Sequence, residues 1–114
     1  VNNDNMIVNM KIQNVIEDYL YKLEVEKQES IVYNKSIIEE KLEKDEYMLF
    51  FKMILDFYFH LLNGKVVFLK LKKLQLSQET ILKRIYLVNE IIDRLQYNVN
   101  MNLLLDYFVL SLED

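Results

Sequence analysis

Residues 77–95 read SQETILKRIYLVNEIIDRL, and this stretch decides the fold. Ile81, Ile85, Val88, Ile92 and Leu95 recur in steps of four and three, so they share one side of an α-helix, and Leu87 and Ile91 widen that side. Ser77 stands just ahead of the pattern, where its hydroxyl can accept a hydrogen bond from a free N–H of the first turn. Glu79 lies at the positive end of the helix dipole. Glu79 with Lys83, and Glu90 with Arg94, are four residues apart with the acid first, the favourable order. A helix of about 20 residues spans roughly 30 Å.

Beyond this helix, Asn98-Val99-Asn100 interrupts the pattern. Asn100 is placed to cap a final helix in which Met101, Leu104, Leu105, Phe108 and Leu112 face a core. Leu103, Tyr107 and Leu110 form a second apolar face on the same segment. On the other side, residues 65–76 (KVVFLKLKKLQL) alternate partly like a strand. A single strand has nothing to pair with, so this reads as a connection with a helical turn.

Further upstream, Asp45 is positioned to cap a helix ending at Gly64, the one glycine and a natural left-handed C-cap. Met48, Phe51, Ile54, Leu55, Tyr58, Leu61 and Leu62 follow helical spacing, and Phe50, Phe57 and Phe59 make the other side apolar as well. A helix apolar nearly all round belongs at the centre of a bundle. Ser36 and Glu39 have the spacing of a capping box for a shorter helix burying Ile37, Ile38 and Leu42; Ser30 offers an earlier start that covers Ile31 and Tyr33. A first helix starts near Asp4 or Asn5 and carries Val8, Ile12, Val15, Ile16, Tyr19 and Leu23 on one face, fading near Lys27. Asp18 and Lys22 sit one turn apart along it as an exposed pair. Short loops make consecutive helices antiparallel neighbours, so the expected fold is an all-α compact bundle of about five helices, one domain over residues 1–114.

Composition agrees. The 114 residues contain no proline, no cysteine, no alanine and one glycine, whereas strand-rich folds lean on Gly and Pro for their turns. Without cysteine there are no disulfides, thiolate metal sites or cysteine nucleophiles. The net charge is −4, with 11 acidic and six basic residues among residues 1–46 and seven acidic and eight basic in the rest. Neither half is basic enough to imply nucleic-acid binding by charge alone. No apolar run reaches the roughly 20 residues of a membrane span, and no secretion signal opens the chain, so the expected location is the cytoplasm. Asn34-Lys35-Ser36 matches a glycosylation acceptor, which carries no weight in that setting. The chain begins at Val1 rather than methionine and reads as a C-terminal piece of a longer protein. Its hydrophobic content of 52% exceeds the average and suggests apolar surface reserved for a partner.

Residues 98–112, NVNMNLLLDYFVLSL, resemble the ending of bacterial DNA polymerase III clamp-loader subunits of the delta′ type, in which an Asn-x-Asn pair precedes a leucine-rich helix with a central acid. Asn98 and Asn100 fill the paired positions, Leu103 to Leu105 the leucine run and Asp106 the acid. The preceding ILKRIYLVNEIIDRLQYN is similar to the helix leading into that motif, and FYFHLLNGK at residues 57–65 to an earlier helix end. The likeness covers the second half of the chain. Phe59-His60 stands where Arg-Asp is common, Met101 where proline is frequent, and Asp106 where the family usually has Glu. The tau/gamma subunits have a homologous domain; the Asn-x-Asn pair favours delta′.

The resemblance implies a C-terminal collar domain, which packs side by side with the matching domains of delta and tau/gamma in a hetero-oligomeric ring. It implies that ATP hydrolysis, opening of the sliding clamp and binding of primer-template DNA belong to N-terminal AAA+ parts. The domain itself is then a non-catalytic oligomerisation module of DNA replication. With two apolar faces on the last helix, one can close the bundle while the other meets a neighbouring subunit, the alternative being that both are internal. The interface expected is Leu103, Leu104, Tyr107 and Leu110, with Asn98, Asn100, Leu105 and Asp106 as the structural motif.

Other chemistry finds little footing. One glycine rules out the GxGxxG and GxxxxGK[S/T] phosphate loops. His60 has no nucleophile motif near it; Asp56 shares its helix face, but no second ligand pair completes a metal site, and His60 suits the negative end of the helix dipole. Glu39, Glu40, Glu43, Asp45 and Glu46 read as a solvated acidic surface. No catalytic residue, cofactor or metal is expected. Lys65, Lys70, Lys72 and Lys73, around Phe68, are the basic cluster, and the rival function is a helical nucleic-acid-binding module using them on phosphates.

Overall fold

The computed structural model describes residues 3–27 and 31–112, and in this span α-helices alone form the long elements: α1 (Asn3–Leu20), α2 (Ile31–Glu39), α3 (Lys44–Leu62), α4 (Gln78–Arg94) and α5 (Met101–Ser111). No strand occurs among the described residues. The bundle is all-α, as its periodicity requires.

The caps explain most of the boundaries. Ser77 accepts from the Thr80 N–H at 3.1 Å and starts α4. Asn100 accepts from the Leu103 N–H at 3.2 Å and starts α5. Gly64, at φ 80°, ends α3: its N–H reaches the Leu61 carbonyl at 3.0 Å and the Lys65 N–H the His60 carbonyl at 2.8 Å, the Schellman pairing. Other expected caps fall elsewhere. The residue capping α3 is Glu43, whose N–H donates to Glu46 Oε1 at 2.9 Å, so Asp45 lies inside the first turn. Ser36 lies within α2, because that helix already runs from Ile31; Ser30 is outside the described residues, as are the side chains of Val8, Ile31 and Tyr33. Asp4 and Asn5 likewise fall inside α1.

Helix α1 does not stop at Leu20. It widens into a π-helical turn over Tyr21–Glu26 and ends at Lys27, which takes the left-handed conformation at φ 52°. The wider turn brings the adjacent Leu23 and Glu24 both inside.

The core is aromatic. Phe50 and Phe51 of α3 meet edge to face, and both rings join Tyr19 or Phe108, which binds α1, α3 and α5 into one cluster. A second cluster stacks Phe57 on Phe68 at 5.6 Å between centroids, tying the α3–α4 connection to α3. That connection contains a 3₁₀ turn, Leu69–Leu71, with Leu71 buried. Ile54, Val88, Ile91, Leu95 and Leu105 complete the apolar centre. The radius of gyration is 13.6 Å, against about 13 Å expected for a single domain of this length.

Candidate assembly surface

Among the described residues the buried polar groups form two sets, the first enclosed and the second reaching the edge of a cleft at Asp106. Glu24, from the π-helical turn, receives Arg84 Nε and Nη2 at 3.1 Å each, and the Tyr58 hydroxyl donates to it at 2.8 Å. Burial raises the Tyr58 phenol well above its usual range, and the Glu24 charge adds to this. Burial alone would lower the Arg84 guanidinium, but its bonds to Glu24 outweigh it and the net shift is upward. The second set is a relay: Tyr19 donates to Asn34 Oδ1 at 2.6 Å, and Asn34 Nδ2 donates to Asp106 at 2.9 Å. Every polar partner here is supplied by the bundle, which makes both sets structural. The burial of Asn34 also removes it as a glycosylation acceptor.

Helix α5 is different on its two sides. Leu105, Phe108 and Val109 are enclosed, while Leu103 is 67% exposed and Leu110 50% exposed. Tyr107, one turn from Leu103, is half-buried; its hydroxyl donates to Glu90 at 2.6 Å, and Arg94 lies 4.6 Å above its ring. The hydrogen bond to Glu90 raises the Tyr107 phenol, with partial burial second. Neighbouring α4 adds Leu82 and Tyr86, the latter 78% exposed, and Tyr86, Leu87 and Tyr107 line a shared cleft of about 320 Å³. The result is an apolar strip, Leu103–Tyr107–Leu110, beside Tyr86, with Tyr107 fixed in place by its contacts to Glu90 and Arg94.

The structure separates the expected interface residues. Leu103, Tyr107 and Leu110 lie on the outer strip, but Leu104 does not: it is 4% exposed and packed in the bundle core, because it falls a quarter-turn round the helix from Leu103. Asn98 is exposed, Asn100 is the cap, Leu105 is core and Asp106 anchors Asn34. Leu82 and Tyr86 were hidden in the sequence because they flank the α4 core stripe singly. Arg84 was the more detectable omission, since it occupies a stripe position between Ile81 and Val88.

The lysines also divide. Lys70 is committed to α1: its ammonium pairs with Asp18 and its backbone N–H donates to Glu17 at 2.9 Å. Asp18 thus serves the connection as well as its own helix. Lys65, Lys72 and Lys73 are exposed, and Lys70, Lys72 and Lys73 line one cleft without Lys65. His60 sits on Asp56, with Nδ1 2.8 Å from its carbonyl oxygen and 3.3 Å from its carboxylate. No cluster of three potential metal ligands occurs among the described residues, and no described helix is long and apolar enough to cross a membrane.

What fold and surface define is an all-α bundle with an apolar flank on α5 left in water. No family model, curated protein or solved structure matches the chain.

Proposed function

We propose that the chain is a non-catalytic assembly module that docks its α5 flank on partner subunits, in the manner of the collar domain of a clamp-loader delta′ subunit. The observation that carries this reading is the outward stand of Leu103 and Leu110 on a capped, otherwise buried helix. Exposed apolar side chains gathered on one face gain free energy by being covered, at about 25 cal/mol per Å². The sequence 98–112 supplies the likeness to the clamp-loader family, and with it the partners: the matching domains of delta and tau/gamma. Sliding clamp and primer-template DNA are then reached only through the assembled complex. The competing phosphate-binding role loses one of its four lysines, since Lys70 is already neutralised by Asp18.

Mixing the chain with delta and tau/gamma collar domains tests this in size-exclusion chromatography. A heteromeric peak is expected, lost in Leu103→Asp and Leu110→Asp while the circular dichroism spectrum stays unchanged. Persistent monomers at micromolar concentration would overturn the assignment. Leu104→Asp is the control, since it inserts a charge into the core and should unfold the bundle.

A further inference from the structure

A cleft of about 530 Å³ lies away from the α5 flank, between the π-helical turn and the α3–α4 connection. This is within the range of sites that hold a small ligand or a few residues of a peptide. Its apolar lining comes from Tyr21, Val25, Leu69 and Leu74, and its charges from Glu24, Lys70, Lys72 and Lys73. Two of those charges are already spent. Both Glu24 oxygens are bound by Arg84, and Lys70 is held by Asp18. Lys72 and Lys73 are exposed and have no ion-pair partner among the described residues. The cleft therefore offers an apolar floor with two ammonium groups at its edge that no described residue neutralises.

The walls are rigid enough to serve as a site. Leu71 is buried beneath the connection, Phe68 stacks on Phe57, and Glu17 and Asp18 grip Lys70 from α1. Yet Leu69, between these anchors, is 71% exposed, and Val25 faces it from the π-helical turn, also exposed. Apolar side chains held out by a fixed loop are poor solvent-facing groups and good contacts.

We infer that this cleft binds a short acidic segment of a partner protein, with an apolar side chain on Val25, Leu69 and Leu74 and a carboxylate between Lys72 and Lys73. Charge complementarity selects that occupant. An anionic membrane calls for a broad basic face, whereas these two lysines stand at the edge of a recessed cleft. The floor sets one aromatic ring, Tyr21, among the aliphatic Val25, Leu69 and Leu74, which favours a leucine or phenylalanine over a run of stacked bases. This site does not depend on the assembly role of α5.

The test is titration of the isotopically labelled chain with a synthetic peptide alternating Asp with Leu and Phe, followed by amide chemical shifts. Saturable shifts confined to residues 21–25 and 69–75 are expected. Lys72→Glu with Lys73→Glu, and separately Leu69→Ser, should each weaken binding about tenfold or more, all three being exposed positions whose change leaves the fold intact. Equal binding of a peptide with Ser in place of Leu and Phe would overturn the proposal. So would shifts located elsewhere, no saturation at millimolar peptide, or tighter binding of oligothymidine or phosphatidylserine vesicles. Concentration-dependent shifts of the same amides without peptide would assign the cleft to a second copy of the chain and equally overturn it.

Discussion

Arg84 occupies a place on α4 where its neighbours in the stripe, Ile81, Ile85 and Val88, are buried. A guanidinium survives there because Glu24 accepts two of its N–H groups and Tyr58 satisfies Glu24 further. Removing one partner leaves the other as a buried, uncompensated charge. Arg84→Met should therefore cost about 3–5 kcal/mol in urea denaturation. The double change Glu24→Leu with Arg84→Met should cost less than Arg84→Met alone, because the stranded carboxylate is gone. Tyr19 and Tyr58 govern the alkaline limit. Burial raises both phenols above their usual value, with nearby Asp106 and Glu24 adding to the effect. The folded state thus holds these protons more tightly than the unfolded chain. Their contribution is fully present below the unfolded value near 10 and is lost as pH rises above it. The urea midpoint should stay level up to about pH 9 and fall beyond about pH 10, a fall reduced in Tyr58→Phe relative to its own neutral-pH value.

At the scale of elements, the caps at Ser77 and Asn100 and the stop at Gly64 could be read from single residues, because each acts on backbone within a few positions. Glu43 escaped notice because a Glu at the N-cap works through Glu46 rather than through a preferred short side chain. The π-helical turn had no local signature at all. Its register is joined to Arg84, 60 positions away, which no window along the chain contains. The outer α5 strip was legible as a second apolar face, and the core period already held Leu104, which the packing of Phe108 on Phe51 keeps inside rather than at the interface. These differences set the expected costs of substitution. Asn100→Ala should lower stability by about 1 kcal/mol through the lost cap. Gly64→Ala should cost about 1–2 kcal/mol: an added Cβ meets open space, so the penalty is that of the positive φ alone. Leu71→Ala should cost more, about 2–5 kcal/mol, and should loosen the connection, since Leu71 is its only fully buried aliphatic anchor among the described residues. Thermal or urea denaturation followed by circular dichroism ranks the three.

Across the whole molecule, α3 and α4 pack along their length, with α1 laid against α3 and the 3₁₀ turn, and α2 placed against α5. Within α2, Asn34 takes the Tyr19 hydroxyl on one side and gives its amide to Asp106 on the other. An amide with both ends engaged cannot release one neighbour without stranding the other in an apolar setting. In hydrogen exchange, α2 and α5 should therefore open as one cooperative unit at lower free energy than α3 and α4, and Asn34→Leu should split that unit by speeding exchange in α2 first. Ligation at the outer strip of α5 would then slow exchange on α2, an element the ligand never touches, and a single asparagine would act as the hinge pin through which occupancy on one wall is felt on another.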